Sequence, residues 1–146
     1  MPLPVPEPGL VIRYDYLWAR ERDGGAVEAG KDRPAAIVLV TRAKHGGTLV
    51  TVSPITTDQA APALDGIEIP VAVQRRLGLD GTRPCWVLPT EVNRFVWPGP
   101  DIRSIPNGKG RFDYGFLPAD LFDELKRRIV KRATDNNKFS AVKRMD

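Results

Sequence analysis

The chain has 146 residues, 42% of them apolar and 27% charged, the profile of one soluble domain with its own core. No apolar run reaches the roughly 20 residues of a membrane span, and Met1–Pro8 has neither the basic nor the apolar region of a signal peptide. Net charge is +4 with a calculated pI near 9.5, which admits a polyanionic partner, and the lone Cys85 excludes an internal disulfide and fits a reducing, cytoplasmic setting.

In chain order, residues 1–8 alternate with proline and are expected as an extended arm. Leu10 to Trp18 reads as a strand, with Ile12, Tyr14, Tyr16 and Trp18 on one face and Arg13 and Asp15 on the other. Residues 19–31 turn charged and glycine-rich, a long loop with a turn signal at Asp23-Gly24-Gly25. Pro34 biases Arg33 toward extended backbone. Ala35 to Val40 then reads as a strand buried on both faces, because its apolar residues do not alternate. Lys44-His45-Gly46-Gly47 reads as a hairpin turn, the paired glycines supplying positive φ, with His45 a solvated turn residue or a ligand contact. Thr48 to Ile55 is the expected partner strand.

Further on, 58–63 reads as a loop, Leu64 to Ile69 as a short strand and Pro70 to Leu77 as a short helix stopped by Gly78. Cys85 to Leu88 and Arg94 to Trp97 are short strands, and 98–113 is a loop rich in proline, glycine and charge. A last helix spans about Pro118 to Arg132, with Leu121, Phe122, Leu125 and Ile129 on one side. From Thr134 a mobile basic tail is expected. The total of five or six short strands, one inserted helix and one terminal helix indicates a mostly β, α+β fold. The expected form is a small barrel or half-barrel with a helix packed at one end, spanning residues 9–133 between the arm and a flexible tail at 134–146.

Counting removes several chemistries. One histidine excludes a two-histidine acid/base pair within the chain, there is no His/Cys ligand spacing, and no phosphate-binding glycine loop occurs. No metal or cofactor is therefore expected. Cys85, between Pro84 and Trp86, reads as a small buried thiol. Five of the seven residues from Lys126 to Arg132 are basic, either a solvated helix face or a nucleic-acid contact. What remains is Glu28, Arg33, Thr56 and Thr57 near strand ends. Counting outward from the Gly46-Gly47 turn makes Arg33 and Thr56 neighbours at one sheet edge. A guanidinium beside a hydroxyl suits an anion; the plainer alternative is a surface arginine covering a strand end. Whether Thr56 or Thr57 faces the site depends on a bulge.

Glu28-Ala29-Gly30-Lys31-Asp32-Arg33-Pro34 before an aliphatic strand resembles the E-x-x-G-x-R-P signature of the MazF/PemK toxins, with Lys31-Asp32 in place of a shorter spacer. Val50 to Thr57 is similar to that family's V-x-V-x-P-[VIC]-T-[ST] strand, and Pro8 to Asp15 to its opening strand. The resemblance covers roughly residues 8–130 and is carried by the first 60. It implies an SH3-like barrel, a homodimer and a growth-inhibiting toxin countered by an antitoxin. The implied activity is metal-independent cleavage of single-stranded RNA through the ribose 2′-OH, leaving a 2′,3′-cyclic phosphate. By the same resemblance Arg33 stabilises phosphorane charge and helps proton transfer, while Thr56 holds the attacking hydroxyl or the phosphate. Glu28 orders a lid loop or touches RNA, Lys31 and Thr57 join it as substrate contacts, and Arg94 with Asn93 contacts RNA or the dimer partner. The general base stays unassigned. Phe95 and Trp97 are core aromatics or stacking platforms. The competing expectation is a non-catalytic SH3-like module that holds nucleic acid or protein on its basic helix.

Overall fold

The computed structural model describes residues 3–25, 32–44, 46–106, 108–135 and 139–144. Among these, the elements in order are β1 (Leu10–Tyr14), α1 (Ala19–Asp23), β2 (Arg33–Arg42), β3 (Thr48–Thr56), β4 (Ile67–Glu68) and α2 (Val71–Leu77). There follow β5 (Trp86–Val87), β6 (Glu91–Trp97), β7 (Ile102–Arg103), β8 (Asp113–Phe116), α3 (Ala119–Thr134) and β9 (Ser140–Lys143). The protein is mostly β, of the α+β class, with two short helices and a C-terminal one. The pairing path runs β4-β5-β3-β2-β1-β7, with β6 also on β3, β8 also on β1 and β9 on β6. Every pair is antiparallel except β6 with β9. No pair among the described residues closes the path.

Two cores lie on the two faces of this sheet, which explains the unbroken apolar run in β2. Ala35 and Ile37 enter the first core with Ile12, Tyr14, Val50, Val52 and Phe95. Ala36 and Val38 enter the second with Val11, Val92, Leu77 of α2 and Leu121 and Leu125 of α3. Alternation sends successive side chains to opposite faces. A bulge then resets it: Ile37 faces Val52 and Leu39 faces Thr51, leaving Val38 unopposed. Past the bulge Val40 returns to the first core. The Tyr14 and Phe95 rings stack at 4.6 Å, worth about 1 kcal/mol beyond their burial. Phe95 is thus a core aromatic, and Trp97 packs against the same core.

Several local expectations hold. Gly46 and Gly47 take φ of 86° and 80° between β2 and β3, and Gly78 ends α2 in the left-handed region at φ 79°. The buried face of α3 is centred on Leu121 and Leu125. Other expectations are corrected by pairing at a distance. The first strand ends at Tyr14, not Trp18, because the Asn93 side-chain amide takes over from the ladder: it accepts from Leu17 N–H and donates to Leu17 C=O, both at 2.8 Å. Part of the expected loop after Trp18 is the helix α1, where Glu21 accepts from the Trp18 N–H. Residues expected as the 98–113 loop contribute β7 and the start of β8, both laid on β1.

The expected mobile tail is also corrected at residues 139–144. Strand β9 adds to β6, and Arg144 is 6% exposed. Its guanidinium donates to the Asp15 carbonyl and pairs with Asp101 at 3.2 Å, above the Tyr14 ring. A buried cation requires such partners, and these lie more than forty residues away in the chain. No helix among the described residues is long and apolar enough to cross a membrane.

Candidate functional site

The register of β2 with β3 ends with Ala35 opposite Pro54, and Arg33 and Thr56, the terminal residues of the two strands, line the same two clefts. Pro34 supplies no N–H to the ladder, which suits it to the end of the strand it occupies. Arg33, Thr56 and Thr57 form a ridge between two clefts that both share them. The larger, about 330 Å³, adds Arg13, Asp32, Arg83, Asp80, Cys85 and Tyr114. The smaller, about 240 Å³, adds Trp18, Arg20, Asp58, Ala61, Leu64 and Leu88.

The cations of these clefts are partnered unequally. Arg13 is tied to Asp32 at 2.6 Å and donates to the Tyr114 hydroxyl at 3.1 Å. Arg83 stands 3.6 Å from Asp80. Arg33 makes no ion pair among the described residues; its guanidinium lies 4.8 Å over the Trp18 ring and its Nε is buried without a hydrogen-bond partner. Burial lowers its pKa, and the nearby Arg20 adds to that, while Glu21 opposes it. It remains a cation at physiological pH. The clefts together therefore share the Arg33 guanidinium with its unused Nε donor, and Arg20 of the smaller cleft likewise makes no ion pair among the described residues.

The hydroxyl beside it is also oriented. Asp58 N–H donates to Thr56 Oγ1 at 3.1 Å, which leaves the hydroxyl proton of Thr56 as a donor for an incoming acceptor. Thr56 is buried and Thr57 exposed, so the first is fixed by the fold and the second borders the ridge from solvent. Asp32 sits below the usual carboxylate range because Arg13 hydrogen-bonds it, and Asp80 because Thr82 does. The Cys85 thiol is pushed up to about 11 by burial, which makes it a structural thiol in the cleft wall rather than a nucleophile.

The structure thus brings together Arg33, Thr56 and Thr57. Glu28, Lys31 and His45 lie outside the described residues. Arg94 is placed elsewhere: it is exposed on β6 opposite Thr51 and lines a separate apolar cleft under α3 with Leu39, Lys126 and Val130. Sequence reasoning missed Arg13, Trp18, Arg20, Asp32 and Tyr114. Arg13 had a signal, since it faces away from the aromatic stripe of its strand. Trp18 and Arg20 had none, because α1 and not strand geometry presents them.

The basic run of α3 is largely spent on partners. Arg127 and Arg128 both bind Glu124, and Arg128 and Arg132 both reach Asp65, at 3.1 and 3.3 Å. Lys126 lies over the Phe122 ring. Among the described residues no cluster of three or more His, Cys, Asp or Glu side chains is placed to hold a metal ion. No family model matches the sequence and no curated protein matches it.

Proposed function

We propose that this protein is a MazF/PemK-like endoribonuclease that cleaves single-stranded RNA without a metal ion. The observation that carries the reading is the Arg33 guanidinium, without an ionic partner among the described residues, beside the Thr56 hydroxyl on a ridge between two open clefts. A phosphodiester laid across the ridge meets a fixed cation and a hydroxyl donor. The ribose 2′-hydroxyl gives its proton to solvent water as its oxygen attacks phosphorus, the bond from phosphorus to the 5′-oxygen breaks, and that oxygen takes up a proton from solvent. The products are a 2′,3′-cyclic phosphate and a 5′-hydroxyl end.

In-line displacement at phosphorus depends mainly on alignment and on stabilising the charge that builds on the equatorial oxygens. Arg33 supplies the charge, and Thr56 aligns the phosphate or the attacking hydroxyl. Asp32 and Asp80, held below the usual carboxylate range by Arg13 and Thr82, are weak candidates for the base, which stays unassigned. The same reading makes the protein a cytoplasmic homodimer restrained by a cognate antitoxin. The rival reading, a non-catalytic module binding through α3, is not favoured by cations already paired with Glu124 and Asp65.

The test is incubation with end-labelled single-stranded RNA of mixed sequence in EDTA. Cleavage leaving cyclic phosphate ends, lost in Arg33→Ala and Thr56→Ala variants that melt as the unaltered protein does, supports the proposal. Intact RNA across many sequences, with no growth arrest on expression, overturns it.

A further inference from the structure

The smaller cleft has an electrostatic arrangement that the cleavage step alone does not use. Arg20 and Arg33 both stand over the Trp18 indole, at 5.0 and 4.8 Å. Two guanidiniums on one ring repel; Glu21, which accepts from Trp18 N–H, offsets part of the charge on Arg33, and Asp58, at the cleft, accepts from Ala60 N–H. Arg33 Nε and the Trp18 indole N–H are also buried with no acceptor, and Trp18 is 7% exposed. Burying an unsatisfied donor costs about 1–3 kcal/mol. Two guanidiniums and two unanswered buried donors thus share this wall, and an incoming acceptor would answer them.

The cleft also has apolar lining from Ala61, Leu64 and Leu88. Leu64 is 46% exposed there. A cleft with two guanidiniums and an exposed leucine in its lining matches a nucleotide, whose phosphate is anionic and whose base presents flat apolar faces. An inorganic anion would leave Leu64 uncovered. Continuity matters too, because the cleft meets the larger one along Arg33, Thr56 and Thr57. A strand crossing the ridge places one residue in each.

We infer that the smaller cleft is a second nucleotide-binding site, in which Arg20 and Arg33 hold a phosphate of single-stranded RNA and Leu64 and Leu88 cover the attached nucleoside. It rests on reading the ridge as the phosphodiester site, and it makes Arg20 a substrate-binding residue rather than a surface cation. Arg20 contributes to affinity through charge and hydrogen bonding, and the indole holds its guanidinium in place.

The experiment uses a fluorescently labelled oligonucleotide with 2′-O-methyl riboses, which binds without being cut. Its affinity is measured by anisotropy over a salt series for the unaltered protein, Arg20→Ala and Arg20→Lys. Arg20→Ala is expected to weaken binding roughly tenfold, the cost of one hydrogen bond to a charged group. It should also lower the slope of log affinity against log salt by about 0.7, one single-strand phosphate contact, while Arg20→Lys recovers the slope. Unchanged affinity and slope in Arg20→Ala, or no binding by the unaltered protein, overturns the inference. Loss of binding in Arg20→Ala together with no cleavage of unmodified RNA by the unaltered protein keeps the site and removes the ribonuclease reading. Cleavage by the unaltered protein with full binding by Arg20→Ala does the reverse.

Discussion

The arginines at the β2–β3 edge and those of α3 carry the same charge and sit in opposite circumstances. On α3, Arg127, Arg128 and Arg132 share Glu124 and Asp65, and Glu124 lies well below the usual carboxylate range because Arg127 and Arg128 bond it. At the edge, Arg33 has an indole instead of a carboxylate and a buried Nε without an acceptor. The dense run has its charge answered within the molecule. The isolated arginine does not. Density of charge along a sequence is thus a poor guide to where an anion binds; what counts is which cations the fold leaves without a counter-charge.

That contrast is broken or sharpened most directly through activity. Arg33→Ala is expected to cut the cleavage rate roughly 100- to 1,000-fold, the loss seen when one charge-stabilising donor is removed. Thr56→Ala should cost on the order of 100-fold through misalignment. Arg127→Ala should leave the rate as it is. Equal losses at Arg33 and Arg127 in a single-turnover assay would erase the distinction between the two regions.

Arg144 tests a third circumstance, a cation that is both buried and fully partnered. Arg144→Ala removes the buried cation that pairs with Asp101 at 3.2 Å and with Asp15 at 3.9 Å, and about 3 kcal/mol of stability should be lost in urea unfolding. A stability change under a few tenths of that would mean that β9 does not hold the sheet as its pairing indicates. Arg128→Ala, on a half-exposed network, should cost no more than about 1 kcal/mol in the same measurement.

The smallest effect concerns the support beneath α1. Glu91 accepts from the Ala19 N–H and the Tyr16 hydroxyl, at 3.0 and 3.1 Å, and burial raises its pKa above the ordinary 4.5 despite both bonds. The folded protein therefore holds this proton more tightly than the unfolded chain. Its contribution to stability is full below the unfolded value and is lost as pH rises through the folded one. Glu91→Gln keeps an acceptor for the Ala19 N–H and carries no charge. Its melting temperature, followed from about pH 4 to about pH 8, should decline less than that of the unaltered protein.

Features that a few adjacent residues dictate were readable in advance. Paired glycines made the β2–β3 turn, Gly78 ended α2, and Leu121 and Leu125 marked the inner face of α3. The approach of Arg33 to the Thr56–Thr57 pair belongs with them to within one residue: counted from Arg42 opposite Thr48 the register leads to Thr57, and the bulge at Val38 shifts it by one toward Thr56. Arg94 shows the limit: nothing near it in sequence tells that β6 turns it away, toward the cleft under α3.

By itself, then, the sequence determined the mostly β class, the hairpin and the closeness of Arg33 to the Thr56–Thr57 pair at its open end, since each follows from backbone preference and short-range periodicity. Tertiary structure alone decided that Val38 bulges, that β9 and Arg144 lock onto β6, and that Asp65 answers the cations of α3. It also set Trp18 and Arg20 beside Arg33. The reason is physical. Counter-charges, hydrogen-bond acceptors and cleft walls come from residues far apart in the chain, and no local preference encodes which of them will meet.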